Sequence, residues 1–375
     1  MIPECMPAFQ TPIIKLTEHC NYICKFCRYA NHPPDGKAVM ELSLCKKILK
    51  ETALFNAEKG RKSEAVIFHG GEPLLWGKER FRQIHAYEKE LEKETGITFR
   101  NSMQTNGFLI DEEWAELFSE MRMRPGISLD GPLVMNSHYG AEGKDASLSR
   151  VVENLRLLKK RGISAGILSV VNEQSYGHAK EYFGFLSEAG IESAGFCFCF
   201  NPRDDCVAEP EALSSYLIEC FELYYHSPGR VRIREFDYAL RAMYGKGNRG
   251  CIHNCRRECG SFLSYTPEGA VNFCDAYEKD TFVIGNLLEK SLKEILSGEA
   301  YQDARRLYNI PVEEACRPCE WKEICGCGCG RNDVGEGQER KSYFCETYRK
   351  LYSHIYQTVK ADPRLKEANH NLRRY

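Results

Sequence analysis

Residues 19–29 read HCNYICKFCRY, with Cys20, Cys24 and Cys27 spaced C-x3-C-x2-C. Three thiols cannot pair off as disulfides, and a closed zinc site takes four ligands. Asn21, Lys25 and Arg28 lie in and beside the loop, which makes it poor core material and argues against three simply buried cysteines. Soft thiolates select zinc or iron–sulfur clusters. For zinc, His19 is the candidate fourth ligand, but it is adjacent to Cys20 and sterically awkward. A [4Fe–4S] cube on three thiolates instead leaves one iron open to a small molecule. The same open position separates catalytic from structural metal sites.

Cysteine usage sets this chain apart: 19 in 375 residues. Beyond the loop, ten lie between 251 and 345: Cys251, Cys255, Cys259, Cys274, Cys316, Cys319, Cys325, Cys327, Cys329 and Cys345. Clustered cysteines in a reducing compartment bind metal or do chemistry more often than they form disulfides. Alone, this second region suits zinc and iron–sulfur centres equally. The formal net charge of −2 gives no basic field for nucleic acid. There is no charged n-region with an apolar run, and no apolar stretch of about 18 residues, so no membrane partner is expected and the expected location is the cytoplasm.

Something must position these residues. Short apolar runs at 12–17, 64–70, 97–105, 124–130, 163–171 and 193–200 read as strands. Helical patterns lie between them at 41–59, 78–95, 111–121, 147–161 and 174–189. This alternation predicts parallel βα units, six strands being enough for an open, partial barrel. In such folds chemistry gathers at the C-terminal strand ends. The first strand runs into the three cysteines, the second into HGGEP, the third into QTNG and the fourth into SLDGP. YGKGNRG (244–250) reads as a boundary, and 262–273 as a hairpin turning at Pro267–Gly269. From Tyr343 a charged helix and a frayed tail are expected. A cysteine-rich region with so little apolar periodicity depends on its metals for folding.

C-x3-C-x2-C after the first strand, with GGEP after the second, resembles the radical S-adenosylmethionine (SAM) enzymes. The resemblance implies that Cys20, Cys24 and Cys27 ligate a [4Fe–4S] cluster whose open iron is chelated by SAM. One-electron cleavage of SAM then gives a 5′-deoxyadenosyl radical that takes hydrogen from an unactivated carbon. It also implies that Gly70, Gly71 and Glu72 help to hold the SAM amino group. Glycines let backbone approach a ligand, and a carboxylate suits an ammonium. Asn106 and Ser128, at strand ends, are expected near the SAM ribose and carboxylate, or as loop caps. Tyr29 either lies beside the cofactor or simply packs.

The later spacing, C-x9-G-x4-C then C-x2-C-x5-C-x3-C and a last cysteine, resembles the SPASM extension with two auxiliary [4Fe–4S] clusters. That pattern implies Cys259, Cys274 and Cys329, with Cys255 or Cys251 upstream, for the first auxiliary cluster, Cys255 being preferred. It implies Cys316, Cys319, Cys325 and Cys345 for the second. Cys327 is either a spare or a register alternative to Cys329. The expected architecture is therefore a partial (β/α)6 TIM-like barrel over 1–240 and a SPASM domain with a C-terminal helix over 241–375, holding SAM and three [4Fe–4S] clusters.

Asp275, beside Cys274, is either a general base or a solvated hairpin aspartate. In sulfatase-maturing relatives an aspartate at that place is thought to take the substrate's proton. The resemblance implies a peptide or protein substrate and a reducing partner such as flavodoxin or ferredoxin. The expected function is a maturase of ribosomally made peptides that forms a crosslink or an oxidised residue. The alternative is an anaerobic sulfatase-maturing enzyme oxidising Cys or Ser to formylglycine. QTNGFLIDEEWA, SLDGP and Asp275 favour the latter; His69, where that family commonly has glutamine, favours the former, unless it is an ordinary strand-end histidine. Nineteen residues precede Cys20, so no leader-binding domain like that of several thioether-forming relatives is expected. A non-catalytic iron–sulfur electron carrier is the remaining class, but it has no use for an open iron or GGEP.

Overall fold

A computed structural model of the chain describes residues 9–24, 26–27, 38–201, 206–227, 231–246, 251, 259–276, 281–309, 316–335 and 340–365. In chain order the elements begin with β1 (Thr11–Lys15), α1 (Leu42–Glu58), β2 (Ser63–His69), α2 (Lys78–Thr95), β3 (Thr98–Thr105), α3 (Glu112–Glu120), β4 (Arg124–Ser128) and α4 (Lys144–Lys160). They continue with β5 (Gly166–Val171), α5 (Ala179–Glu188), β6 (Ser193–Phe198), β7 (Phe200–Asn201), β8 (Cys206–Val207), α6 (Pro210–His226), β9 (Arg232–Ile233) and α7 (Arg234–Met243). Then come β10 (Phe262–Tyr265), β11 (Ala270–Asn272), β12 (Val283–Asn286), α8 (Leu292–Ser297), α9 (Glu299–Asn309), α10 (Lys322–Cys325), β13 (Asp333–Val334), β14 (Lys341–Ser342) and α11 (Cys345–Ala361). Strands β1 to β6 alternate with helices in the TIM-like α/β manner that the hydrophobic periods predict.

The chain divides into two compact units. The first comprises the residues up to Ser128, His138–Ala165 and Cys259–Leu307; the second comprises Leu129–Ser137, Gly166–Glu258 and Tyr308 onward. In the first, the strand order is β12-β11-β10-β1-β2-β3-β4. Strands β1 to β4 run parallel. The hairpin β10–β11 is antiparallel, and its first strand lies parallel to β1, pairing Ile13 with Ser264. Its turn closes with Gly269 N–H donating to the Thr266 carbonyl at 3.0 Å, with Gly269 at φ +87°. Compactness therefore groups the hairpin with the start of the barrel, whereas motif content places the break near residue 240.

Period-2 alternation gives the strands of this unit an apolar and a polar face. The apolar face meets the helices: Phe68, Trp76, Phe81 and Trp114 form an edge-to-face series with centroids 5.2–5.5 Å apart. Each such pair adds about 0.5–1.5 kcal/mol beyond area burial. Helix α3 starts where Asp111 accepts the Trp114 N–H at 2.8 Å, and α2 stops at Gly96 in the left-handed conformation. The opposite face carries Lys15, His69, Gln104, Ser128 and Ser264.

In the second unit β5, β6 and β9 are parallel. The C-terminal helix α11 buries Tyr348, Leu351, Tyr352, Ile355 and Val359, an i, i+3/i+4 stripe. It is tied to α6 by Thr347 Oγ1 donating to the Pro210 carbonyl (3.0 Å) and by His354 Nε2 against Glu222 Oε1 (2.6 Å). Cys199, following β6, is disulfide-bonded.

Candidate active site

The three-cysteine loop leaves the C-terminal end of β1. Cys27 N–H donates to the Cys24 carbonyl at 2.9 Å, a tight turn that brings these two expected ligand positions together. The Cys20 sulfur accepts from Tyr22 N–H at 3.4 Å and lies 3.9 Å from Asn106 Nδ2, which also donates to Asn21 Oδ1 at 2.8 Å. Asn106 thus reaches the loop from the end of β3. Burial pushes the Cys20 thiol up to about 12, and the Glu72, Cys24 and Cys27 charges add to it, against a lowering hydrogen bond from Tyr22. Without a metal such a thiol stays protonated, so loading this loop must release protons.

The GGEP segment packs directly against the backbone entering the loop. Gly71 N–H donates to the Thr17 carbonyl and Glu72 N–H to the His19 carbonyl, both at 2.7 Å. A Cβ on Gly70 would run into the Thr17 carbonyl oxygen, and one on Gly71 into that of His19. The close approach these glycines permit is therefore to the chain's own residues 17–19. Glu72 is fully buried. Its Oε1 accepts from Leu74 N–H (3.0 Å) and the Thr105 hydroxyl (2.7 Å), and its Oε2 from Asn106 N–H (2.8 Å). Burial outweighs these bonds and pushes the carboxyl up to about 7. Both oxygens are engaged inside the protein. The sequence suggests a carboxylate that meets the SAM ammonium; here it clamps the end of β2 to the end of β3 and so places Asn106.

Ser128 Oγ, at the end of β4, accepts from Gln104 Nε2 at 2.8 Å. His69 Nδ1 lies 2.7 Å from the Gly70 nitrogen and 3.2 Å from the Gly70 carbonyl oxygen, so the ring is held against the GGEP backbone. Lys15 is the register partner of His69 across β1 and β2. Its side chain is 7% exposed and its ammonium is ion-paired with Asp275 Oδ1, whose side chain is 24% exposed. Ser264 Oγ lies 3.5 Å from the same oxygen. Asn272, paired with Ser264 in register, is buried with its Oδ1 lacking a hydrogen-bond partner among the described residues. Cys259 and Cys274 sit just outside the two strands of the β10–β11 hairpin, at the same open end. Asp275 thus stands next to a predicted cluster ligand and against the polar face of the strands. Lys15 and Gln104 carried no sequence signal beyond a polar residue inside an apolar strand; for Lys15, in PIIKLT, that signal was present.

In the second unit Cys316, Cys319, Cys325, Cys327 and Cys345 influence one another. The Cys316 thiol is raised first by its hydrogen bond with Cys327, then by burial and by Cys325 and Cys345. Cys325 is raised by burial, then by Cys345, Cys327 and Cys319. All four cysteines expected at the second auxiliary cluster are in this group, and Cys327 joins them. Cys329, buried, lines a separate cavity of the same unit with Phe196, Phe198, Glu235 and Arg331. Tyr29 and Cys255 lie outside the described residues; Cys251 is exposed. Among the described residues, no three His, Cys, Asp or Glu side chains converge on a single-ion site. A cubane spreads its thiolates around a body of four irons and four sulfides, so cluster ligands need not meet at a point. Soft, mutually close thiols of this kind fit clusters in both units.

Comparison with known proteins gives the same reading from an independent direction. The family model described as the radical SAM superfamily matches residues 14–186. The SPASM model, an iron–sulfur cluster-binding domain, matches residues 252–320. A cysteine-type anaerobic sulfatase-maturating enzyme of Clostridium perfringens is 27% identical over 98% of this chain and 100% of its own length. A serine-type enzyme of Bacteroides thetaiotaomicron is 24% identical over 90% of this chain and 86% of its own. The solved structure of anSMEcpe with bound AdoMet and a Cp18Cys peptide superposes with a TM-score of 0.81 at 25% identity, covering 96% of this chain and 99% of that one. Streptococcus suis SuiB with bound S-adenosylmethionine shares the fold, with a TM-score of 0.62 at 18% identity over 86% of this chain and 73% of its own.

Proposed function

We propose that the chain, which matches the radical SAM superfamily over residues 14–186 and the SPASM domain over residues 252–320, is a radical SAM enzyme that oxidises or crosslinks a side chain of a peptide or protein substrate. SAM and the cluster held by Cys20, Cys24 and Cys27 supply the hydrogen-abstracting radical, and the auxiliary clusters supply a sink for the remaining electron. Two-electron oxidation then leaves one proton to be taken. Asp275 is the base in this reading, held by Lys15 of β1 and Ser264 of β10 on the polar face of the strands. Glu72 acts through the loop, fixing Asn106 against the cysteine segment, while the backbone of Gly70 and Gly71 lines the cofactor side. Cys259, Cys274, Cys329 and Cys255 or Cys251 hold the first auxiliary cluster. Cys316, Cys319, Cys325 and Cys345 hold the second, with Cys327 beside them.

The Lys15–Asp275 pair carries the proposal, since it turns a hairpin aspartate into an oriented base. Together with full-length likeness to sulfatase maturases it favours formylglycine formation. His69 in HGGEPLL favours peptide crosslinking. Oxygen-sensitive clusters and a low-potential donor of the flavodoxin or ferredoxin type suit the cytoplasm; among the described residues no helix is long and apolar enough to cross a membrane. The test is anaerobic turnover of the reconstituted protein with SAM, reductant and cysteine-containing peptides, read by mass spectrometry. Replacement of the thiol by an aldehyde supports sulfatase maturation, and loss of two hydrogens with sulfur retained supports crosslinking. Absence of 5′-deoxyadenosine with every peptide refutes both.

A further inference from the structure

The SAM-cluster loop has a buried neighbour from a distant part of the chain. His138 Nδ1 lies 3.4 Å from Cys24 Sγ, across 114 positions of sequence. Both residues are buried, at 6% and 8% exposure. The imidazole is held edge-on by Phe26, two residues beyond Cys24, with centroids 5.0 Å apart and planes at 78°. Backbone laces the two segments together: Ile23 N–H donates to the Tyr139 carbonyl at 2.9 Å, and Tyr22 forms a bridge with Gly140. The contact is therefore built from a backbone bridge, a ring contact and a directed nitrogen, all on the cysteine loop.

A thiolate bound to iron has lone pairs and no hydrogen, so across this contact it can only accept. The hydrogen must then sit on Nδ1. Donors aimed at cluster sulfurs are a main lever on the potential of iron–sulfur centres, because they stabilise the more negative reduced state. Cys20 takes its donor from the Tyr22 backbone; Cys24 takes one from His138.

We propose that His138, by donating its Nδ1 hydrogen to the Cys24 sulfur, is a positioning residue that raises the reduction potential of the SAM-binding cluster. This rests on Cys24 being a ligand of that cluster. The consequence is a larger reduced fraction at a given donor poise, and so a cluster that a weaker reductant can prime.

The experiment is an anaerobic redox titration of the reconstituted protein. It follows the reduced-cluster EPR signal that changes on SAM addition, which selects the open-iron cluster from the auxiliary ones. His138→Leu removes the donor; His138→Asn returns an amide nitrogen at the δ position. The expected result is a midpoint more negative than wild type in His138→Leu and restored toward wild type in His138→Asn. An unchanged midpoint in His138→Leu, or equal downward shifts in both variants, overturns the proposal. If His138→Leu loses the SAM-sensitive signal, its retention in His138→Asn with a near-wild-type midpoint supports the donor role. Loss from both shows that ring packing matters, and overturns it. Cys24→Ala tests the premise separately, because a surviving SAM-sensitive signal there refutes the ligand assignment itself.

Discussion

Replacing Lys15 with methionine keeps most of the side-chain volume in β1 and removes a charge that holds Asp275 by ion pairing. Two unit charges about 4 Å apart attract by about 4 kcal/mol at an effective dielectric of about 20. Stranding the partner of a fully buried pair costs about 3–5 kcal/mol. Lys15 is almost fully covered, but Asp275 keeps about a quarter of its side-chain surface in solvent, and water screens part of the loss. A cost of about 2–3 kcal/mol is left for holding the carboxylate in place. At about 1.4 kcal/mol per factor of ten, that slows the step Asp275 serves by roughly 30–150-fold. Cleavage of SAM does not need Asp275, so 5′-deoxyadenosine should still form while modified peptide falls. The assay is the ratio of the two products, by chromatography and mass spectrometry, in wild type, Lys15→Met, Asp275→Asn and the double variant. Residues acting as a unit are non-additive, so the double variant should lose no more than Asp275→Asn alone. Multiplying losses, or a Lys15→Met enzyme with wild-type coupling of the two products, would refute the reasoning.

Cys20→Ala should abolish SAM cleavage, whereas Cys316→Ala should remove about four irons and leave part of that cleavage; full iron content in Cys316→Ala contradicts the second-cluster assignment. Gly71→Ala should cost about 1–3 kcal/mol and lower iron at the SAM-binding cluster, since its Cβ meets the rigid His19 backbone; a wild-type melting temperature argues against that packing. Glu64 is the pH probe. Burial outweighs its contacts with Thr52 and Asn56 and pushes it up to about 8. Thr52 has one hydroxyl hydrogen yet lies within reach of both Glu64 (2.6 Å) and the Ile48 carbonyl (2.8 Å), as suits a protonated acid donating to Thr52. A carboxyl whose folded value is raised contributes stability fully below the ordinary carboxyl range and loses it as pH climbs through about 8. Glu64→Gln should therefore lose less stability than wild type between about pH 5 and 8, the gap widening by up to about 1.4 kcal/mol per pH unit; parallel melting profiles would count against it.

How much the sequence disclosed follows the range of the interactions. The six strands and the hairpin turn at Gly269 were legible because their signals are local: alternation, a period of 3.6, a glycine where φ is positive. The cysteine loop stood out because its three cysteines lie within eight residues. Glu72 was legible as important but not as inward-facing, since its partners Thr105 and Asn106 lie 33 and 34 positions on. His138 reaches Cys24 across 114 positions, and Lys15 reaches Asp275 across 260. No periodicity encodes such meetings. The grouping of Cys259–Leu307 with the barrel's first strands was hidden for the same reason. A boundary read from composition at 244–250 cannot see that the next strand pairs with the first.

That pairing bears on how the protein is made. Strand β1 is synthesised before the other described strands, and the strand that covers its outer edge, β10, begins at Phe262. Through the intervening 246 residues the edge of β1 offers unpaired N–H and C=O groups to any other chain. Contacts so distant in sequence form late and slowly, and nascent chains with open edges are the aggregation-prone ones. A chain stopped at residue 258 should accordingly sediment as aggregate where the full chain stays dispersed. Completing the sheet thus waits for the hairpin flanked by Cys259 and Cys274, which places closure of the β1 edge and arrival of these two expected cluster ligands at the same moment of synthesis.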